Sequence, residues 1–222
     1  MSERPDPHER SVDRRVLRTR RAIERAFVDL AKKHPYDGIR IRDVLRDADV
    51  GKSTFYAHYR GKDDLLAQAL SVLYVALADW FERVLAAEEP ADFESLLRHM
   101  RANQRLFRRL TTGAATAAYL RSQPRFARMI EVRMARYCLA RSLGERVPLT
   151  YAAAAIANSL LALLREWIVD RRATAPDAAA FACLLRELVV GQVGALLGPA
   201  LDCQATRSGR SVPPPSPGSH HA

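Results

Sequence analysis

Cysteine is scarce, with only Cys138, Cys183 and Cys203 in 222 residues. They are odd in number and show no CxxC or Cys/His ligand spacing, which excludes a disulfide framework and a zinc site. Also missing is any alternating β-branched stretch of the kind that marks a half-buried strand, so the fold is expected to be all-α. The opening residues, MSERPDPHERSVDRR, hold no apolar region of the kind a secretory leader needs. The longest nearly apolar run, Tyr151 to Leu164, has 14 residues and includes Asn158 and Ser159, too short to cross a bilayer. These absences together predict a cytoplasmic chain with no membrane partner. No Ser/His/Asp, Cys/His or paired-carboxylate set is visible, so no enzyme is expected. His34, His99 and the tail histidines His220 and His221 lack metal-ligand partners, and neither a metal nor a cofactor is expected.

Lysine is nearly absent as well, at 4 of the 35 basic residues. Arginine carries the charge, and the formal net of +10 favours a polyanionic partner. Its distribution says more. Residues 1–62 hold 16 basic against 10 acidic side chains, while Arg98 to Arg146 hold 12 against 2. The second block has three readings: default solubilising arginines on helix faces, an anionic ligand such as an acyl-CoA or carboxylate, or a supplementary contact to DNA or lipid.

What the chain does contain is helix-period patterning, expected to give about nine helices. Thr19 can cap a helix whose residues Ile23, Ala26, Phe27 and Leu30 follow i, i+3, i+4, i+7 spacing, ended by Pro35 and Gly38. An amphipathic segment from Lys62 to about Ala87, stopped by Pro90, is expected to link two domains. Later stop signals fall at Thr112-Gly113, Gln123-Pro124, Gly144 to Pro148 and Thr174 to Asp177. Pro124 and Pro176 are read as first-turn prolines. Two long apolar helices, about Tyr151–Arg172 and Asp177–Leu197, are expected to form an antiparallel pair. Their apolar faces predict a homodimer interface at Leu160, Leu164, Phe181, Leu185, Leu188 and Gln192. Trp80, Tyr119, Tyr137, Asn158 and Trp167 are candidates for lining a small-molecule pocket. Beyond about Gln204 the Pro- and Ser-rich sequence is expected to be disordered.

Ile39 to Asp64, IRIRDVLRDADVGKSTFYAHYRGKDD, is the richest stretch. It reads as a helix, a three-residue turn and a short second helix. Val44, Leu45 and Ala48 share one face, Val50 plugs the angle, and Phe55 and Tyr59 at i, i+4 bury the second helix against them. That leaves Lys52, Ser53, Tyr56, Ala57 and Arg60 toward solvent, with Thr54 a further DNA-contacting candidate. Lys52 and Arg60 suit phosphates or guanine edges, Ser53 and the Tyr56 hydroxyl suit phosphate oxygens, and the Ala57 methyl suits a thymine methyl. Lys62, beside the start of the next helix, suits a phosphate at a helix N-terminus. Arg10, Arg14, Arg15, Arg18, Arg20 and Arg21 form a basic arm that could reach an adjacent groove. The run GKST at Gly51 to Thr54 is not a phosphate-binding loop, because that motif needs glycine where Arg46 stands, and a preceding strand.

The runs Thr19 to Leu30, Pro35 to Val44, Gly51 to Tyr59 and Gly61 to Leu65 resemble the DNA-binding domain of the TetR family of transcriptional regulators. The resemblance covers about residues 17–72. It implies an N-terminal three-helix helix-turn-helix domain plus a larger helical effector-binding and dimerisation domain. It also implies a homodimer on a near-palindromic double-stranded DNA operator, released by a small-molecule effector. Tyr56, His58 and Lys62 then occupy phosphate-contacting positions, and Lys52, Ser53 and Ala57 positions that can face bases. Two hydroxyls usual in the family are absent here, where Arg40-Ile41 and Gly51 stand; Arg40 is carried as a DNA-contacting candidate and Gly51 as an N-cap. The pattern Asn158 to Trp167 resembles a branch of the family that defines no ligand. The expected layout is a basic flexible arm over 1–16, the DNA-binding domain over 17–72, the second domain over 73–200 and a disordered tail over 204–222. A ligand-responsive repressor is the leading expectation; a constitutive DNA binder or a coactivator of the same fold is the alternative.

Overall fold

Helix α1 runs from Pro7 to Lys33. It belongs to a computed structural model that describes residues 7–88, 92–143, 146–170, 172 and 174–197, with only the backbone of residues 7–13. The helix starts well before Thr19, because proline is tolerated in a first turn and no proline or glycine follows until Pro35. The arm expected over residues 1–16 is therefore helical from Pro7, and its first six residues, like the tail over 204–222, lie outside the described residues. Ile23, Ala26, Phe27 and Leu30 are buried, as their spacing predicts.

Helices α2 (Ile41–Ala48), α3 (Lys52–His58) and α4 (Lys62–Leu85) complete the N-terminal head. Then follow α5 (Phe93–Ala102), α6 (Gln104–Thr111), a 3-10 turn (Gly113–Ala115), α7 (Thr116–Arg141), α8 (Leu149–Val169) and α9 (Ala178–Leu197). Among the described residues the fold is all-α, with nine α-helices and no strand. Gly113 sits at φ 60°, a left-handed conformation that glycine adopts without steric cost, and it turns α6 into α7. The break at Asn103 between α5 and α6 carries neither glycine nor proline, so the sequence holds no stop signal there.

The head and the second domain share α4. Its first half buries Leu65, Leu66 and Leu70, and its second half buries Tyr74, Leu77, Trp80 and Phe81. An expected boundary at residue 72 thus falls inside a continuous helix. Helix α7 packs along α4 and α8. Pro124 lies inside α7, not at its start. An interior proline costs about 3 kcal/mol. Tyr119, Ser122, Phe126, Ile130, Met134 and Cys138 nonetheless form one buried stripe across it. Each large apolar side chain in such a stripe returns roughly 1.5–3 kcal/mol on burial, so the helix continues.

Helix α9 packs chiefly on α5 and α4, and more lightly on α8. The pairing expected of α8 with α9 is therefore partial, made by the stacked rings of Trp167 and Phe181, 4.6 Å apart, and by the Ser159 hydroxyl donating to Gln192 at 3.0 Å. This corrects the expected dimer face. Leu160, Leu164, Phe181 and Leu185 are buried in their own chain, and Leu188 is partly so. The solvent-facing apolar residues are instead Tyr151 on α8 and Leu184 and Val190 on α9.

Two further expectations change. Trp80 stacks on Phe93 at 4.2 Å, the buried Tyr119 hydroxyl donates to the Leu161 carbonyl at 3.4 Å, and the Arg141 guanidinium lies over the Tyr137 ring. Trp167 is buried and donates to the Pro176 carbonyl at 2.8 Å, while Asn158 is exposed in a cleft between α7 and α8. These five residues do not converge on one pocket. And α4, α8 and α9 are each long and apolar enough, by length and composition, to cross a membrane. The uninterrupted run understated this, because a helix tolerates isolated polar residues on one side. Their buried faces form the core between helices.

Candidate nucleic-acid interface

Helix α2 begins without side-chain capping at Arg40, whose carbonyl accepts from the Asp43 and Val44 amides at 3.0 and 3.3 Å. It ends at Asp49 in a left-handed conformation, φ 53°, with the Val50 amide bonded back to the Leu45 carbonyl at 3.1 Å. Aspartate is among the few non-glycine residues that tolerate this geometry. Asp49, Val50 and Gly51 are thus the three-residue turn, after which Gly51 caps α3 in an extended conformation.

Helix α3 divides its residues as the motif predicts. Phe55 and Tyr59 are buried, with ring centroids 5.4 Å apart, and Val44 is buried beneath them. Leu45, Ala48 and Val50 are partly buried against the same core. The Tyr59 hydroxyl reaches α1 and donates to Glu24 at 2.9 Å. Burial, and then the bond to Glu24, raise its pKa well above that of a free phenol. Lys52, Ser53, Tyr56, Ala57 and Arg60 are exposed on the other side, and Arg40, at the start of α2, is exposed too; Thr54 and His58 are half-buried. Tyr56 is 49% exposed and is fixed by an edge-on contact with Phe55 at 5.2 Å. The hydroxyl is therefore held out at low entropic cost, as a phosphate contact requires.

Lys62 is placed differently from its expected phosphate contact. Its ammonium donates to the Tyr36 and Ile39 carbonyls at 2.8 and 3.1 Å and lies 4.4 Å from the Tyr36 ring centroid. It ties the α1–α2 connection to the start of α4. The same helix end holds two carboxylates: Asp64 accepts from the Arg60 amide at 3.0 Å, and Asp63 accepts from the Tyr36 hydroxyl and from Arg121 of α7. Burial is the main cause, and Asp63 the next, of a raised Tyr36 pKa. Glu24 thus ties the end of α3 to α1, while Tyr36 and Arg121 hold the start of α4 through Asp63. Their pairing spans distant positions, and no local spacing signals it.

The basic block from Arg98 to Arg146 is mostly engaged. Arg98, Arg128, Arg133 and Arg136 pair with Glu94, Glu131, Asp79 and Glu82. Arg101 and Arg146 donate to backbone carbonyls of Trp167 and Ala195. Arg109 donates to the Ala31 and Lys32 carbonyls at the end of α1, at 3.1 and 2.5 Å. On the face of α1, Arg14, Arg18, Arg21 and Arg25 rim an open groove of about 790 Å³ against α4.

An all-α head, a three-residue turn and an exposed Lys52–Arg60 face over a Phe55–Tyr59 core together define a helix-turn-helix. A sequence profile of the bacterial regulatory proteins of the tetR family matches residues 25–69. The chain is 38% identical over 86 residues to the uncharacterized HTH-type transcriptional regulator YxbF of Bacillus subtilis, covering 38% of this chain and 22% of that one. It spans about a fifth of that relative. A TetR-family transcriptional regulator from Syntrophomonas wolfei superposes with a TM-score of 0.53 at 20% identity, covering 82% of this chain and 98% of that one. One from Streptococcus agalactiae gives 0.48 at 23% identity over 82% and 98%. The likeness to the tetR family thus rests on residues 25–69.

Proposed function

We propose that this protein is a cytoplasmic, homodimeric transcriptional repressor that grips a near-palindromic operator through α3 and its flanks. The observation that carries the reading is the exposed row of Lys52, Ser53, Tyr56, Ala57 and Arg60 on a helix whose other side is fully packed. Lys52 and Arg60 would meet phosphates or guanine edges, Ser53, Thr54, Tyr56 and His58 phosphate oxygens, and Ala57 a thymine methyl. Arg40 would reach the backbone from the uncapped start of α2. Lys62 serves this face from behind, by fixing the α1–α2 connection.

Two heads are needed to read a palindrome. The outward faces of α8 and α9, with Tyr151, Leu184 and Val190 exposed, support a two-fold contact between copies. Half-sites would then lie about 34–36 Å apart or a multiple of it. The packed rings at Trp80, Tyr119 and Trp167 argue against an effector chamber in the core between α4, α7 and α8, and direct attention to surface clefts.

The test is a footprint on the promoter beside the protein's own gene, with wild type and Tyr56→Ala. Protection of an inverted repeat, weakened by at least about tenfold in the variant, is expected. Equal protection by both proteins would show that α3 does not read DNA.

A further inference from the structure

The arginines of the Arg98–Arg146 block that have partners leave a remainder. The side chains of Arg105, Arg108 and Arg125 make no ion pair, hydrogen bond or ring contact among the described residues. Arg125 is exposed on α7, whereas Arg105 and Arg108 line one cleft of about 350 Å³, together with Arg101, Gln104 and Asp170. Three guanidinium groups thus face one space, two of them uncommitted. Like charges gathered this way repel unless an anion sits among them.

The acid in the cleft offsets that repulsion only in part, because its hydrogen bonds go to Arg172. Asp170 is gripped by the Arg172 fork, with bonds of 2.8 to 3.2 Å, and by the Arg172 amide at 2.9 Å. Those bonds hold its pKa at about 2, so it remains ionised and paired with Arg172. Arg101 is anchored too, donating to the Trp167 carbonyl with its guanidinium 5.0 Å from the Trp167 ring centroid. It forms the wall between this cleft and an adjoining one of about 410 Å³, where Trp167, Ala175, Pro176 and Ala178 give most of the surface and the charged Arg98 and Asp177 are engaged with Glu94 and the Ala180 amide. One half of the combined surface is cationic and the other mostly apolar.

We propose that this double cleft binds a small organic anion, its carboxylate or phosphate held by Arg105 and Arg108 and its apolar body laid against Trp167 and Pro176. Guanidinium forks match both head groups bidentately. The site rests on the regulator reading only for its consequence. Helix α6 carries Arg105 and Arg108 into the cleft and Arg109 onto the last carbonyls of α1, so a ligand that shifts α6 also shifts the hold on the head.

The experiment uses the full chain, with phenyl phosphate, inorganic phosphate and phenol as probes at constant ionic strength in titration calorimetry. Phenyl phosphate is expected to bind more tightly than inorganic phosphate, and phenol not at all. Arg105→Gln/Arg108→Gln is expected to lose at least about tenfold in affinity, with Arg125→Gln unchanged. Arg105→Lys/Arg108→Lys keeps the charge without the fork and should fall between, which guards against a misfolded double glutamine variant. Equal binding by wild type and the glutamine variant, no binding by wild type, or binding of phenol overturns the site. Equal affinity for the two phosphates overturns the apolar half. In the same series, phenyl phosphate should shift operator affinity by at least about fivefold in wild type alone. Binding without that shift refutes the link through α6, while a wild type that ignores the operator even without probe refutes the regulator reading and leaves the site standing.

Discussion

Replacing Lys62 by methionine separates two jobs the residue could do. Methionine keeps an apolar stem against Tyr36 but removes both bonds to the Tyr36 and Ile39 carbonyls and the contact with the ring. Only the Ile39 carbonyl is left without a partner, at about 1–3 kcal/mol; the Tyr36 carbonyl keeps the Ile39 amide at 3.2 Å and forfeits about 0.5–1.5 kcal/mol, and the cation–π contact contributes about 0.5–1 kcal/mol. The site is half-buried and water recovers part of the loss, so the lower end applies: about 2–3 kcal/mol in all. Unfolding as one unit, a chain of this size would melt roughly 5–10 °C lower. Thermal melting by circular dichroism reads that directly. Operator affinity should fall as the head loosens, yet the slope of log affinity against log salt should stay as in wild type. Each phosphate contact adds about 0.9 to that slope. Lys52→Ala and Arg60→Ala should each lower it by about that much, and serve as internal standards. Unchanged melting with a slope lowered by about 0.9 for Lys62→Met would refute the clamp and restore Lys62 to the phosphates.

Gly51→Ser should raise stability by a few tenths of a kcal/mol in urea unfolding, since serine caps somewhat better than glycine. A Cβ there meets nothing closer than the Thr54 hydroxyl at 3.9 Å, and destabilisation would show the α3 start to be tighter than described. Leu184→Glu combined with Val190→Glu should turn a dimer into a monomer in sedimentation, with melting of each chain nearly unchanged, because both residues face solvent in the single chain. A dimer that survives places the two-fold elsewhere. Arg172→Ala should return the Asp170 carboxyl from about 2 to the ordinary range, read by carbon-detected NMR titration. A depressed folded pKa means the pair stabilises at neutral pH and is lost as pH falls toward 2, so the variant should lose that acid-side dependence.

The helix-turn-helix was legible because its contacts are local. Val44, Phe55 and Tyr59 lie within a few turns of one another, and i, i+4 spacing is enough to sort buried from exposed. Two features depart from the spacing: α1 starts well before Thr19, whose cap an uninterrupted helix does not need, and Lys62 turns inward to the Tyr36 and Ile39 carbonyls. The second domain was harder for a physical reason. Helices α8 and α9 are apolar on most sides, so periodicity shows that Leu160, Leu164, Phe181 and Leu185 are buried without showing whether one chain or two buries them. Pro124 misled in the other direction, since a local stop signal was outweighed by a long buried stripe. Aromatic residues gave no guide to a pocket: Trp80 and Trp167 had each found a stacking partner at a distance no spacing rule reports.

The arginines show how far charge alone carries an argument. A net of +10 between Arg98 and Arg146 is the same as that of the whole chain, yet most of it is discharged against acids, carbonyls and rings inside the fold. Two of these arginines join the domains. Arg109 holds the end of α1, Arg121 holds Asp63 at the start of α4, and α4 itself runs through both halves. With fastenings on two helices, the head cannot rotate about α4 without breaking one of them. Hydrogen bonds to a charged group contribute about 1.5–3 kcal/mol each, and a tenfold change in operator affinity needs only about 1.4 kcal/mol. An anion at Arg105 and Arg108 therefore need not drive a large motion. Loosening the single hold of the neighbouring Arg109 on α1 would be enough to change operator affinity in the dimer we propose.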